Sequence, residues 1–170
     1  RLADASDAPP GGAGCGPTPH PAVLAGVWDH SAFRKDMLGR LRRTARFIAE
    51  TTYAERSIAE ASIAKVREVH ERVAGTLPDG TPYRADDPAL LAWVHVTETT
   101  SFLAAWVRYG EPLMSAADKD RYVADMAVIA RALGVVAPPV SVRGLRDQLL
   151  LFRHETRSTP QSRDAARYLL

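Results

Sequence analysis

The sequence predicts an all-α fold, a single-domain helical bundle built around one central helix at about residues 88–109. Three observations carry that reading. From His20 onward apolar residues recur at helical spacing, with no convincing β-alternation anywhere. Acids, Ser, Gly and Pro stand where helices start and stop. One stretch, Leu90, Leu91, Trp93, Val94, Val96, Phe102, Leu103, Trp106 and Val107, is apolar on all sides, the pattern of a helix enclosed by others.

Residues 1–19 are rich in Ala, Gly and Pro (Pro9-Pro10-Gly11-Gly12, then Gly14-Cys15-Gly16-Pro17) and read as a flexible lead-in to a helical domain over 20–170. A short apolar helix follows over Pro21 to Asp29, with His20 at its first turn. Asp36 is placed to cap a helix that runs through Met37, Leu41 and Phe47 to Thr51-Thr52. The next helix spans about Ala54 to Ala74 and is expected to stop at Gly75 as its cap. Leu77-Pro-Asp-Gly-Thr-Pro82 is a turn-rich loop. Asp87-Pro88 opens the central helix, an acid at the cap and proline at the first turn, and Gly110 closes it. Ser115 and Asp118 form a capping box for a helix to Leu133, ended by Gly134. After the Pro138-Pro139 break, two further helices are expected over 141–153 and 160–170.

The bulk composition excludes several classes. At 170 residues the chain is long enough to bury one sizeable core, and 46% hydrophobic with 25% charged residues is a globular balance. Twenty-two Lys and Arg against 20 Asp and Glu leave +2, too even for a nucleic-acid surface, and the run Arg40, Arg42, Arg43, Arg46 reads as a solvated face. The single cysteine, Cys15, allows neither an internal disulfide nor a thiolate cluster, and no CxxCH haem-attachment or HExxH motif occurs. No apolar run reaches the roughly 18 residues of a membrane-spanning helix. With no secretory signal visible, the cytoplasm is the default expectation.

Two histidines fall on apolar stripes. At roughly 3.6 residues per turn, Ala59, Ile63, Val66, His70 and Val73 align, with Arg67 at the edge beside His70. On the central helix Leu91, His95, Thr99, Phe102 and Trp106 align, which gives His95 a hydroxyl and the Glu98 carboxylate within a turn. A metal-ligating imidazole needs such a partner for its second nitrogen. A histidine in a helix stripe is also a common satisfied core residue, and spacing alone leaves both readings standing. His20, His30 and His154 suit a helix start, a helix end and a solvent-facing turn.

Several blocks, in this order, resemble a known family. They are His20-Pro-Ala-Val-Leu-Ala-Gly-Val-Trp-Asp-His30-Ser31 with Phe33, Gly39-Arg-Leu-Arg-Arg-Thr44, and Val66-Arg67-Glu-Val-His70-Glu-Arg-Val-Ala-Gly75. Gly80-Thr-Pro-Tyr83-Arg84-Ala-Asp86-Asp87-Pro88 and Leu91-Ala-Trp93-Val-His95 complete them. Together they are similar to the haem-binding oxygenases that include the rubber oxygenases (latex-clearing proteins) and the mycophenolate-pathway oxygenase. The likeness covers about residues 20–135, with a looser echo beyond.

That resemblance implies a non-covalent haem b, an apolar, unsaturated substrate and dioxygen. By position His95 resembles the proximal iron ligand and Arg67 the pocket arginine. His70 falls where the rubber-oxygenase branch places a lysine, and a distal imidazole there either ligates iron as a sixth ligand or hydrogen-bonds bound dioxygen. The resemblance thus marks His95 and His70 as iron ligands, and Arg67 and His70 as catalytic. The family's upstream glutamate base is not matched by Glu50 or Glu55. Family members carry an apolar helix before the His-Pro-Ala-Val block and helices beyond the point matching Leu170, so a domain shortened at one or both ends is expected. The alternative is a non-enzymatic helical module that binds a hydrophobic ligand or a partner.

Overall fold

A computed structural model of the chain describes residues 20–156, 159–160 and 162–164. The elements are α1 (Pro21–His30), α2 (Met37–Tyr53), α3 (Arg56–Arg72), β1 (Ala74–Thr76), β2 (Pro82–Arg84), α4 (Pro88–Tyr109), α5 (Ala116–Leu133) and α6 (Val142–Phe152). A single 3-10 turn, Ala32–Arg34, precedes α2. The 1–19 lead-in lies outside the described residues. So does most of the expected 160–170 helix, although 160 and 162–164 are helical.

The helix starts sit where the cap residues place them. The Asp36 carboxylate accepts from Gly39 N–H at 2.8 Å, Asp87 from Ala89 at 2.8 Å, and Ser115 Oγ from Asp118 at 3.1 Å. Each satisfies one of the donors that a helix leaves orphaned at its first turn. The stop of α5 is equally local, since Gly134 takes φ +109° and its N–H returns to the Arg131 carbonyl at 3.0 Å. A side chain there forces left-handed backbone, and a Cβ would stand 3.4 Å from Leu91. Gly134→Ala is expected to cost about 1–2 kcal/mol, read as a lower urea midpoint with unchanged slope.

Packing follows from the stripes. Helix α4 is the hub, touching α1, α5 and α6, while α3 leans on α2 and α5. The main core joins Val96 and Leu103 of α4, Val123 of α5 and Leu145 of α6, with Val96 and Val123 fully buried at 0% exposure. Burying each such side chain contributes on the order of 1.5–3 kcal/mol. Among the described residues no helix is long and apolar enough to cross a membrane. In α2, Arg40 donates to Ser31 Oγ, while Arg43 and Arg46 pair with Asp36 and Glu50.

Three expectations need correction. The turn over 77–81 is where the sequence places it, but it joins two strands of an antiparallel ribbon that was not expected, pairing Ala74 with Arg84, Gly75 with Tyr83 and Thr76 with Pro82. Strands this short carry no readable alternation. Consequently α3 ends at Arg72, and Gly75 is a strand residue, glycine because a Cβ would lie 2.6 Å from the Tyr83 hydroxyl. Gly110 does end α4, but with right-handed φ −103°; a Cβ there would meet the Trp106 ring at 2.8 Å. Finally, α4 is central but not buried all round. Its Val96, Thr99 and Leu103 stripe is enclosed, whereas Val94, Phe102 and Trp106 are exposed.

Candidate functional site

His70 occupies the last turn of α3, on the stripe Ala59, Ile63, Val66 and Val73, every member of which is partly buried. Its Nδ1 is buried without a hydrogen-bond partner. Burial pushes the imidazole below its ordinary pKa, and the nearby Asp86 carboxylate opposes that shift. Asp86 is itself gripped by a fork from Arg84, Nε and Nη2 each at 2.9 Å, which holds the acid below its usual range. A cleft of about 160 Å³ opens here, lined by Arg67, His70, Glu71, Asp86, Leu91, Leu133 and Gly134.

Arg67 borders that cleft but is exposed rather than turned inward. Its Nη1 donates to the Ala132 carbonyl at 3.3 Å, so the guanidinium staples α3 to the carbonyl end of α5. That is a favourable place for a cation, where the helix dipole is negative. The stripe's edge position for Arg67 is thus met, with the Ala132 carbonyl of α5 as its partner.

His95 lies one turn beyond Leu91 on α4, and its ring is not part of the cleft wall. Its Nδ1 stands 3.3 Å from the Oγ1 of Thr99, a residue only 3% exposed. Its Nε2 is buried with no partner. In the tautomer whose Nδ1–H donates to Thr99, Nε2 keeps a free lone pair in an apolar setting. Burial lowers this pKa as well, which favours the neutral ring. Of the two neighbours read from the stripe, the hydroxyl makes the contact. Glu98 is solvent-exposed along α4, though the protein mass around its carboxyl desolvates it and raises its pKa.

The structure thus brings Arg67 and His70 to one cleft and sets His95 a turn away from its Leu91 wall. Asp86 and Arg84 were missed as neighbours of His70. They arrive through the β2 ribbon, which helical spacing cannot report. The remaining motif histidines take structural places. His20 Nδ1 accepts from Ala22 N–H at 3.2 Å, and its ring meets Trp93 edge-on at 6.0 Å. His30 ends α1, and both it and His154 are exposed.

A pH dependence follows. The folded-state pKa of His70 lies below the ordinary imidazole value of about 6.5, so beneath that pH the unfolded chain binds a proton that the native ring refuses. This contribution leaves stability undiminished above about pH 6.5 and erodes it as pH falls toward the native pKa. Each such histidine steepens the slope by at most about 1.4 kcal/mol per pH unit. His70→Gln should therefore flatten urea-derived stability as pH falls below about 6.5, and a slope equal to that of the unsubstituted chain refutes the assignment.

No curated protein and no solved structure matches the chain. A family model described as "ER-bound oxygenase mpaB/B'/Rubber oxygenase, catalytic domain" matches residues 11–170. That span takes in α1 to α6, the ribbon, His70 and His95, and the chain belongs to this family of oxygenase catalytic domains.

Proposed function

We propose that the protein is a haem b-dependent oxygenase acting on a small apolar, unsaturated substrate with dioxygen. One observation carries the haem reading: the buried, unpartnered Nε2 of His95, whose ring is oriented by Thr99. A haem takes one or two imidazoles from the protein and supplies the remaining iron donors itself. The donor set here fits that demand: His95 would hold the iron through Nε2, and the orphaned Nδ1 of His70 would be the second nitrogen available to the group. Among the described residues no group of three His, Cys, Asp or Glu is assembled for a bare ion.

The cleft of about 160 Å³ is smaller than the roughly 300–1,000 Å³ of ordinary ligand pockets, so a macrocycle requires its walls to part. Little core opposes that, because α3 packs chiefly on α2 and α5 while α4 packs on α1, α5 and α6. When bound, haem supplies the redox chemistry toward dioxygen. The chain's own part is orientation and electrostatics. Thr99 fixes the His95 ring, Leu91 and Leu133 supply the apolar part of a cleft whose other side chains, Arg67, His70, Glu71 and Asp86, are polar, and Arg67 would offer a cation to a propionate once it leaves the Ala132 carbonyl. His70, neutral near pH 7 through burial, presents an imidazole on the same side as Arg67.

The test is a titration of the purified apoprotein with haemin, followed in the Soret region. Stoichiometric uptake with a shifted band supports the reading, and a protein that stays colourless overturns it. A second reading, a helical module that binds a hydrophobic ligand or partner without catalysis, is favoured by the open apolar face of Val94, Phe102 and Trp106. It expects His70→Leu and His95→Leu to leave ligand binding intact.

A further inference from the structure

A second cavity lies away from both histidines, on the C-terminal half of α4 where α5 and α6 meet it. It is an open groove of about 570 Å³. Its floor is the main core itself, with Leu103, Val107 and Leu145 among the residues that line it. Its rim carries three cations, Arg108 from α4, Lys119 from α5 and Arg146 from α6.

That juxtaposition is unusual for a chain with a net charge of only +2. No carboxylate lines the groove, and none of the three cations has an ion-pair partner among the described residues. The acids nearest in sequence are engaged elsewhere, Glu111 accepting from Trp106 Nε1 at 3.4 Å. Asp118 serves Ser115 and Arg121, Asp120 accepts from the Val142 N–H at 2.7 Å, and Asp147 faces Arg143. Cations left unpaired around an apolar trough complement a ligand that is greasy along its length and negative at one end.

We infer that this groove binds an anionic amphiphile, a single hydrocarbon chain ending in a carboxylate. The chain lies along Leu103, Val107 and Leu145, and the head group sits among Arg108, Lys119 and Arg146. The volume falls within the roughly 300–1,000 Å³ of small-molecule sites, and three separate helices converge to supply the head-group charge. The inference does not depend on haem, since neither His70 nor His95 lines the groove.

Calorimetric titration of the full chain with dodecanoate, dodecanol and dodecyltrimethylammonium tests it. Dodecanoate is expected to bind, with dodecanol about tenfold weaker and the cationic amphiphile not at all. Added salt should weaken dodecanoate binding, because the head group meets partly exposed charge. Arg146→Glu or Arg108→Glu should each lower affinity about threefold or more, the scale of an exposed ion pair reversed in sign. Both positions are exposed, so the fold survives the change. Arg143→Glu, on α6 but outside the groove lining, is the control and should leave affinity unchanged. Equal affinity for dodecanoate and dodecanol, no dodecanoate binding, or an equal loss in the Arg143 variant each overturns the proposal.

Discussion

The His95→Ala variant is expected to lose the shifted Soret band that haemin gives with the unsubstituted chain. The reasoning is local. His95 Nε2 is buried and unpartnered while Nδ1 is tied to Thr99, so the ring spends its one anchored nitrogen on orientation and leaves the other for a ligand. Removing the ring removes the iron ligand and breaks one hydrogen bond, to the Thr99 hydroxyl, so helicity by circular dichroism should persist while the band disappears. Free imidazole, supplied in solution, should restore part of it. Thr99→Val separates ligation from orientation. It keeps the volume and the ligand but deletes the hydroxyl, and loss of such an outer partner typically weakens metal affinity about 10–100-fold. An unchanged band in His95→Ala would remove His95 from the iron site.

How much of this was legible in the sequence varied with the range of the forces involved. Helix starts were readable because Asp36, Asp87 and Ser115 act on their own first turns, a few residues away. The stripe containing His70 was readable for the same reason, since periodicity alone decides which side faces inward. The ribbon was not, because strands of three residues show no period and are held by what they pack against. Gly75 illustrates the difficulty: a glycine after a helix suggests a cap, and only the ring of Tyr83 across the ribbon explains it otherwise. The outer face of α4 failed for another reason. Composition says that Phe102 and Trp106 are apolar, but it cannot say whether another element of the same chain covers them. Likewise Arg67 was placed at the right edge of α3, yet the Ala132 carbonyl that holds it belongs to a helix far along the chain.

The largest stability loss is expected at Tyr83, where α1, the ribbon and the start of α4 meet. The residue is 5% exposed and forms a small second core with Ala22 and Ala25 of α1, flanked by Leu77 and Leu90. At Gly75 any Cβ would press on the ring, 2.6 Å from its hydroxyl, whereas one at Gly26 would rest in ordinary contact 3.5 Å from Cε2. The hydroxyl donates to Asp29 at 3.2 Å, and burial raises the phenol above its ordinary pKa. One ring therefore fastens α1 to the ribbon, and the ribbon carries Arg84 and Asp86 to His70. Tyr83→Ala should cost about 3–5 kcal/mol, the range for truncating a buried aromatic. Tyr83→Phe should cost only about 0.5–1.5 kcal/mol, because Asp29 is exposed and recovers water when the hydroxyl goes. Urea unfolding of the two variants side by side separates packing from hydrogen bonding. A deficit below about 1 kcal/mol in Tyr83→Ala would mean that α1 holds its place through His20 and Trp93 instead.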